Sequence, residues 1–471
     1  MRVFHTTSHE AIANDEALAR LATSLARLRE LSPGAVGFEE LEAQVHALFV
    51  AAERDVLGAE LERLDVDVPQ LVLDGQVHVR VLRSAMVYTS AAGPVRVVRT
   101  LYRRGAQRAV APLERRAGIV AGHFTPRAAR QGLWAVAHLT PQEAASLFSE
   151  LGAMSPSKSS LDRLPKACGA HWEAHREAFE AQLRAAVQVP ASAATVAVSL
   201  DGVMTPMKDA SRSTKREATF AQGKHRQGPA GYQEAGCATL SFYTVEGERL
   251  SSVRLARMPE EKKATLKTML AEELAAVLKQ RPELQLVKLA DGAKDNWRYL
   301  SEALPAGIEV VDFYHAVEHL KDAFSAAYGE NSARMRARFE TYRHVLLEDP
   351  RGVEKVLRTL VYLRACHPKR KALRLAVGYF RRHRQRMRYA TVKAAGLPVG
   401  SGVVEAACKT LVTQRLKRSG MRWREAGGQS ILTLRGLIQS ERFEAGWQLI
   451  AQCYRDDAPL PTNVIPFPCA A

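Results

Sequence analysis

The sequence predicts an α+β multidomain protein whose mixed five-stranded sheet, packed with helices, is interrupted by an all-helical insertion. Three observations predict this fold class. Strand and helix patterns alternate from residue 194 to residue 312, and helical periodicity then continues from His315 to Arg388. The preceding residues have helical and short β patterns of their own. Because 471 residues exceed one ordinary core, we expect about two to four domains.

The first two predicted segments are a helical region, residues 1–68, and a small basic β-hairpin region, residues 69–130. In the first, Ala11–Leu31 and Phe38–Leu64 carry apolar residues at three- and four-residue spacing. In the second, two runs of alternating residues are separated by a turn-like segment that contains glycine and proline. These runs are Val77–Arg83 and Val95–Tyr102.

Residues 131–190 form a third predicted segment, which is helical. A helix begins at Thr140, because proline at the first helical position and Glu143 three residues after the threonine form a capping pattern. Gly152 ends it, and Ser155 begins a second, Ser/Lys-rich helix. This order is compatible with a helix-turn-helix that reads DNA, and the alternative is an ordinary helical hairpin.

The five predicted strands define the main sheet, residues 191–314. Three strands in antiparallel order precede a helix, Glu260–Lys279, and two further strands alternate with helices. This is the order of a ribonuclease-H-like sheet. The strands are Val196–Asp201, Gly236–Tyr243, Arg249–Leu255, Leu286–Asp291 and Ile308–Asp312.

The C-terminal part divides into a basic helical insertion, residues 315–396, C-terminal helices, residues 397–455, and a flexible tail, residues 456–471. The formal net charge of +17, from 67 Lys+Arg against 50 Asp+Glu, favours a polyanionic partner, although a basic surface alone is common. The six cysteines form no C-x-x-C pair, which argues against a disulfide framework. With neither a signal-peptide core nor a membrane span in the sequence, we expect a cytoplasmic protein.

Three carboxylates form the candidate chemical centre. Asp201 and Asp291 each follow an apolar strand and precede a glycine, and Glu405 lies in the first turns of a helix after Gly400-Ser401-Gly402. Two Mg²⁺ or Mn²⁺ ions held by such acids support phosphodiester chemistry. Taken singly, each Asp-Gly is also a turn signal, and Glu405 is also a helix pair with Lys409.

The segment from Leu397 to Lys409, continued by Gln414–Trp423, resembles the C-terminal block of ISKra-family insertion-sequence transposases. Ser199–Gly202 and Ala290–Ala293 resemble the two aspartate blocks of the same family. The resemblance covers residues 70 to 450. It implies a DDE enzyme with a ribonuclease-H-like catalytic unit and a metal-binding triad of Asp201, Asp291 and Glu405. It also implies terminal inverted repeats and target DNA as partners, and a homodimer or higher oligomer on DNA in a bacterial cytoplasm.

Two further features concern histidine and cysteine. Asp312-Phe313-Tyr314-His315 resembles an Asp-x-x-His motif of related Mutator-like transposases, which implies that His315 lies near the scissile phosphate. The alternative is a histidine that merely begins a helix, and His319 one turn later makes a weak metal pair conceivable. The sequence departs from many ISKra members because Tyr102–Arg108 lacks cysteine pairs of the zinc-ribbon type.

Basic residues near the glutamate and in the insertion are predicted to contact DNA phosphates. The alternative for the insertion is a solvated helix face, and Trp423 is either a stacking platform for an unpaired base or a core residue. The predicted DNA-binding residues are Lys409, Arg415, Lys417, Arg418, Arg422, Arg381, Arg382 and Arg384.

The leading functional hypothesis is a DNA transposase that cleaves the ends of its own element and joins them to a target. The alternatives are a ribonuclease-H-like nuclease or resolvase without strand transfer, and a non-catalytic DNA-binding protein derived from a transposase. Retention of all three acids argues against the last alternative.

Overall fold

A computed structural model describes residues 16–30, 37–208 and 231–455. The predicted tail at 456–471 and the beginning of the predicted helix Ala11–Leu31 lie outside these residues. The described chain forms two compact units. The first contains the residues up to Ala174 and those from Glu444 onwards, and the second contains His175–Phe443. The predicted division into seven segments is finer than this partition and stays a prediction.

The first unit combines helices with a three-stranded antiparallel sheet of order β1-β2-β3. The sheet confirms the predicted hairpin, to which the short strand β1 adds an edge that the sequence pattern had not indicated. The strands are β1 (Gln70–Leu73), β2 (Gln76–Ser90) and β3 (Gly93–Arg103). The helices are α1 (Glu16–Glu30), α2 (Phe38–Arg63), α3 (Pro112–Ala117), α4 (Pro126–His138), α5 (Pro141–Glu150) and α6 (Lys158–Ala174), with the last helix of the chain, Phe443–Gln452, joining this unit from Glu444 on.

The predicted start of α5 is confirmed in atomic detail. The Thr140 hydroxyl accepts the Glu143 amide at 3.1 Å, and the Glu143 carboxylate accepts the Thr140 amide at 2.8 Å, which is a complete capping box. The following helix begins at Lys158 rather than at Ser155, because the Ser157 hydroxyl accepts the Ser160 amide at 3.1 Å. Whether this helix pair reads DNA stays a prediction.

The second unit contains a mixed five-stranded sheet of order β6-β5-β4-β7-β8. Strand β4 pairs antiparallel with β5 and parallel with β7, and β7 pairs parallel with β8. The strands are β4 (Thr195–Pro206), β5 (Tyr232–Tyr243), β6 (Arg249–Arg257), β7 (Gln285–Ala290) and β8 (Ile308–Val311). The helices are α7 (Arg176–Ala185), α8 (Ala264–Gln280), α9 (Lys294–Glu302), α10 (Phe313–Tyr328), α11 (Ala333–Glu348), α12 (Gly352–Cys366), α13 (Lys371–His383), α14 (Tyr389–Ala394), α15 (Gly402–Ala407), α16 (Gln414–Leu416), α17 (Glu425–Gln439) and α18 (Phe443–Gln452), the last of which belongs mainly to the first unit.

The core of the second unit explains these elements. Strands β4 and β7 are buried on both faces, as in Val196 to Leu200, which suits strands that pair on both edges. The same hydrophobic cluster continues into α10 to α14, so the helices between β8 and α15 pack onto the sheet's core. The described region therefore has an all-helical stretch at the position predicted for the insertion. None of the helices in the described ranges has the length and apolarity needed to cross a membrane.

Two further predicted boundaries are wrong. Strand β4 does not end at Asp201 but runs to Pro206, because its pairing with β5 continues after its pairing with β7 stops at Leu200. The helix predicted from Glu260 begins as α8 only at Ala264. A three-residue 3-10 turn precedes it, in which Lys262 adopts a left-handed conformation with φ of 52°.

Candidate metal centre

Asp201 and Asp291 occupy matching positions on neighbouring strands. The parallel register pairs Leu200 of β4 with Ala290 of β7, and an aspartate follows each of these residues. Both side chains are half-buried and line one cleft with Lys263. The structure therefore brings together the two aspartates that the sequence analysis selected, at the point where β7 leaves β4.

The Asp201 carboxylate lies in a confined environment. Its Oδ1 accepts the Gly202 amide at 2.7 Å, and its Oδ2 accepts the Cys408 thiol at 3.6 Å. Burial, followed by the negative charge of Asp291, raises the pKa of Asp201 and outweighs the opposing hydrogen bond from Gly202. The charged form of Asp201 is therefore disfavoured mainly by burial and to a lesser extent by Asp291, and a bound cation would relieve both effects.

The loop after β7 is fixed around Asp291 by three hydrogen bonds. The Ala293 amide and the Asn296 side-chain amide donate to Asp291 Oδ1 at 3.1 and 3.2 Å, and the Trp297 indole donates to the Asp291 carbonyl at 2.5 Å. Asn296 also donates to the Leu200 carbonyl at 3.4 Å, so it links the ends of both aspartate strands. Asp291 Oδ2 has no hydrogen bond within the described part of the chain.

Gly292 is required by the packing of α13. A Cβ atom added at this residue would lie 2.2 Å from Cε2 of Tyr379, whose ring is only 8% exposed. The ring of His383, one turn further along α13, is 5.0 Å from that of Tyr379 and is also buried. The helix α13 therefore packs directly against the backbone that carries Asp291.

Glu405 lies on α15, one helix turn before the residue that contacts Asp201. The Ser401 hydroxyl donates to Glu405 Oε1 at 3.1 Å, and Cys408, three residues after Glu405, contacts Asp201. Residues three apart share a helix face, so Glu405 lies on the same face of the helix as the thiol that contacts Asp201. The segment after α15, Cys408–Thr413, is a π-helix, a type of helix turn that often marks functional sites.

Asp312 is a central residue whose role the sequence analysis left open. The register pairs Ala290 with Val311, so Asp312 extends the row of aspartates to a third strand. It is fully buried, and its Oδ1 accepts both the amide of His315, at 2.8 Å, and its Nδ1, at 3.2 Å. Its Oδ2 accepts the Ser401 amide. Burial acts to raise the pKa of Asp312, but the hydrogen bonds from His315 and Ser401 outweigh it and hold that pKa below its usual range.

His315 lies between two carboxylates. Its Nδ1 is 3.2 Å from Asp312 Oδ1 and 3.9 Å from Glu405 Oε1. The hydrogen bond with Asp312 raises the pKa of His315 to about 9, so the imidazole is cationic at neutral pH. His319, by contrast, packs its ring 3.9 Å from that of Tyr379, and burial lowers its pKa.

Among the described residues, one group of three side chains lies close enough together to hold a divalent cation, and it is not the predicted triad. One potential ligand atom each from Asp312, His315 and Glu405 lies within 4.8 Å of the others. In that set both carboxylate oxygens of Asp312 already accept hydrogen bonds, so Asp312 is poorly suited to bind a metal. The hard oxygen donors of Asp201, Asp291 and Glu405 are the type that Mg²⁺ prefers, and Asp291 Oδ2 and Glu405 Oε2 have no hydrogen bond among the described residues.

The predicted DNA-binding residues divide by exposure. Arg418 is half-buried, and Arg415 is 1% exposed, with its guanidinium 5.3 Å from the Trp423 ring. The prediction that Arg415 contacts phosphate is therefore wrong, because the side chain is packed inside the unit. The half-buried Trp423 donates its indole N–H to the Leu416 carbonyl at 2.9 Å. The exposed members are Lys409, Lys417, Arg422, Arg381, Arg382 and Arg384.

Comparison with known proteins adds little to this geometry. Among solved structures, the chain is similar to the Drosophila P element transposase strand transfer complex, with a TM-score of 0.26 and 10% sequence identity. The match covers 75% of this chain and 86% of the other, and similarity at this level carries no argument about function. No protein-family model and no curated protein matches the sequence. The resemblance to ISKra-family transposases stays a prediction.

Proposed function

We propose that this chain is a DDE-type DNA transposase whose second unit is a ribonuclease-H-like catalytic domain. It binds the ends of its insertion sequence, cleaves them by metal-dependent phosphodiester hydrolysis and joins the 3′-OH ends to target DNA. The observation that carries the proposal is the matched placement of Asp201 and Asp291 after paired residues of parallel neighbouring strands, with Cys408, three residues after Glu405, in contact with Asp201. The sheet order β6-β5-β4-β7-β8, in which β5 alone runs antiparallel to the other four strands, supports the ribonuclease-H-like assignment.

The residues divide the chemical work between them. Asp201, Asp291 and Glu405 would hold Mg²⁺ or Mn²⁺, and two such ions supply charge stabilisation at the attacking and leaving oxygens of an in-line displacement. His315 offers a cationic N–H group beside Glu405, which suits an oxygen of the scissile phosphate. Lys263, whose ammonium donates to the Asp201 carbonyl at 3.4 Å, adds positive charge to the rim of the same cleft.

The test compares each acid with a control carboxylate in the cleft that Asp201 and Asp291 line. Asp201→Asn, Asp291→Asn and Glu405→Gln should each abolish Mg²⁺-dependent cleavage of DNA that carries the element's ends. DNA binding should remain within about threefold of wild type, since the acids do not contact phosphates as cations do. Asp295→Asn makes the same chemical change at an exposed residue of the cleft and should retain cleavage. Wild-type cleavage by any of the three variants would exclude the triad.

Strand transfer separates a transposase from a nuclease. A pre-cut end with a free 3′-OH should become covalently joined to a supercoiled plasmid in the presence of Mg²⁺ or Mn²⁺. Cleavage without joining would favour the nuclease alternative. The absence of Mn²⁺ binding by the wild-type chain, measured by titration, would favour the non-catalytic alternative.

A further inference from the structure

A groove lined by arginines lies between α12 and α13 in the second unit. Its volume is about 420 Å³, and Arg358 of α12 faces Arg381, Arg384 and Arg388, which lie along the end of α13 and the turn after it. The one acid among its lining residues is Glu354. The groove therefore concentrates positive charge from two separate elements.

The described residues do not neutralise these four arginines. Within the described residues none of them forms an ion pair, and Arg388 donates only to the Gln385 side chain, at 3.0 Å. Arg386 in the same segment differs, because it pairs with Glu309 at 2.7 Å. Unpaired like charges around one groove repel each other unless a polyanion occupies it. Guanidinium groups are the side chains best shaped for phosphate oxygens.

The floor of the groove is apolar. Val353, Leu357 and Val361 line it from successive turns of α12, with Val353 buried and the other two half-buried. An apolar floor below a cationic rim suits a nucleotide whose phosphates meet the rim while its sugar or base lies on the floor. In a duplex the bases are stacked inside and unavailable for such a contact, so the groove favours an unpaired strand.

The groove is also connected to the acidic centre through α13. The exposed face of this helix carries Arg381, whereas Tyr379 on its buried face packs against Gly292, the residue after Asp291. One helix therefore contributes both to the groove and to the support of an acidic residue.

We propose that the arginine groove binds the phosphodiester backbone of an unpaired DNA strand, with a sugar or base ring against Leu357. The inference rests on the proposed function, because it treats DNA as the substrate. The groove extends the basic surface that the sequence indicates, because it includes a second helix, α12, and a residue of that helix, Arg358, that was not among the predicted DNA-binding residues.

The test measures binding of the full chain to a labelled 12-nucleotide oligothymidylate and to a duplex of equal length at several salt concentrations. Arg358→Ala and Arg384→Ala should each weaken single-strand binding by about three- to tenfold and reduce the salt slope by about 0.7, as expected for one lost phosphate contact. Arg374→Ala removes the same charge from an exposed position of α13 outside the groove and should leave both values unchanged.

The outcomes separate this inference from the proposed function. If wild type cleaves DNA but the groove variants bind the oligonucleotide as Arg374→Ala does, the groove inference is wrong and the proposed function stands. A loss confined to the duplex also overturns it. If the wild-type chain neither binds nor cleaves DNA, the proposed function itself fails. Unchanged melting midpoints of the variants, whose altered side chains are exposed, would confirm that folding is intact.

Discussion

Replacing Asp312 with asparagine should loosen the connection between β8, α10 and the turn before Glu405. The aspartate is fully buried and accepts from the amide and ring of His315 and from the Ser401 amide. Asparagine keeps one acceptor oxygen, which can serve His315. Its amide group then points a donor at the donor of Ser401, so the hydrogen bond that holds the Gly400-Ser401-Gly402 turn is lost.

The size of the effect follows from these contacts. A buried donor left without an acceptor costs about 1–3 kcal/mol, and loss of the negative charge weakens the remaining bonds to His315 by about 1 kcal/mol. The free energy needed to open the turn should therefore be about 2–4 kcal/mol smaller in Asp312→Asn than in wild type. Since 1.4 kcal/mol corresponds to a factor of ten, the Ser401 amide should exchange its hydrogen about 30-fold faster or more.

Hydrogen–deuterium exchange followed by mass spectrometry measures this change in the full chain. Glu318→Gln is the control, because it makes the corresponding change at an exposed residue of α10. Cleavage should also fall in Asp312→Asn, since the turn positions the helix of Glu405. Wild-type protection of Ser401 in Asp312→Asn would refute the assignment of Asp312 as the residue that holds the turn.

Three other substitutions, two of them with a matched control, test packing, surface charge and capping. Gly292→Ala should destabilise the second unit by about 1–3 kcal/mol and weaken Mn²⁺ binding, because its Cβ would overlap a buried ring. Gly378→Ala is the control, because a Cβ at that residue meets open space. It should leave the melting temperature unchanged or slightly raised and the Mn²⁺ affinity unchanged. Arg415→Ala should lower the melting temperature without changing the salt dependence of DNA binding, and Lys417→Ala should do the reverse. Thr140→Ala should cost about 1 kcal/mol in denaturant unfolding of the first unit, because it removes one half of a capping box.

Specific results would contradict these expectations. If Gly292→Ala and Gly378→Ala had equal stability and equal Mn²⁺ affinity, the Tyr379 ring could move aside without cost, and the packing argument would be wrong. If Arg415→Ala but not Lys417→Ala reduced the salt dependence of DNA binding, Arg415 rather than Lys417 would be the residue that contacts phosphate in solution. An unaltered transition in Thr140→Ala would mean that the helix end contributes nothing to the stability of the first unit.

Local patterns in the sequence predicted much of the fold. The capping residues of α5 and the alternation in β2 and β3 depend on neighbours a few residues away, so they are readable without a structure. The order of strands in the main sheet also followed from the succession of patterns. The true end of β4 did not, because it depends on where two different partner strands stop pairing.

Some residues of the candidate site also have a local signal in the sequence, whereas others depend on tertiary contacts. Asp201 and Asp291 have a local mark, an aspartate and glycine after an apolar run, and the register sets them side by side. Arg415 looked like any other member of a basic run, since nothing in its neighbours reveals a buried guanidinium. The role of Asp312 depends on Ser401, which is 89 residues away in the chain. Such contacts belong to tertiary structure alone.

The discontinuous first unit has a consequence for biosynthesis. Its last helix contributes the ion pair between Glu444 and Arg130, at 2.7 Å, and Tyr454 lies 4.7 Å from the ring of His171. A ribosome must finish the whole His175–Phe443 unit before that helix exists, which takes on the order of 15–50 s at about 5–20 residues per second. During synthesis the first unit therefore stays incomplete until the residues from Glu444 onwards have been made. A prematurely terminated product would lack part of the domain that was synthesised first.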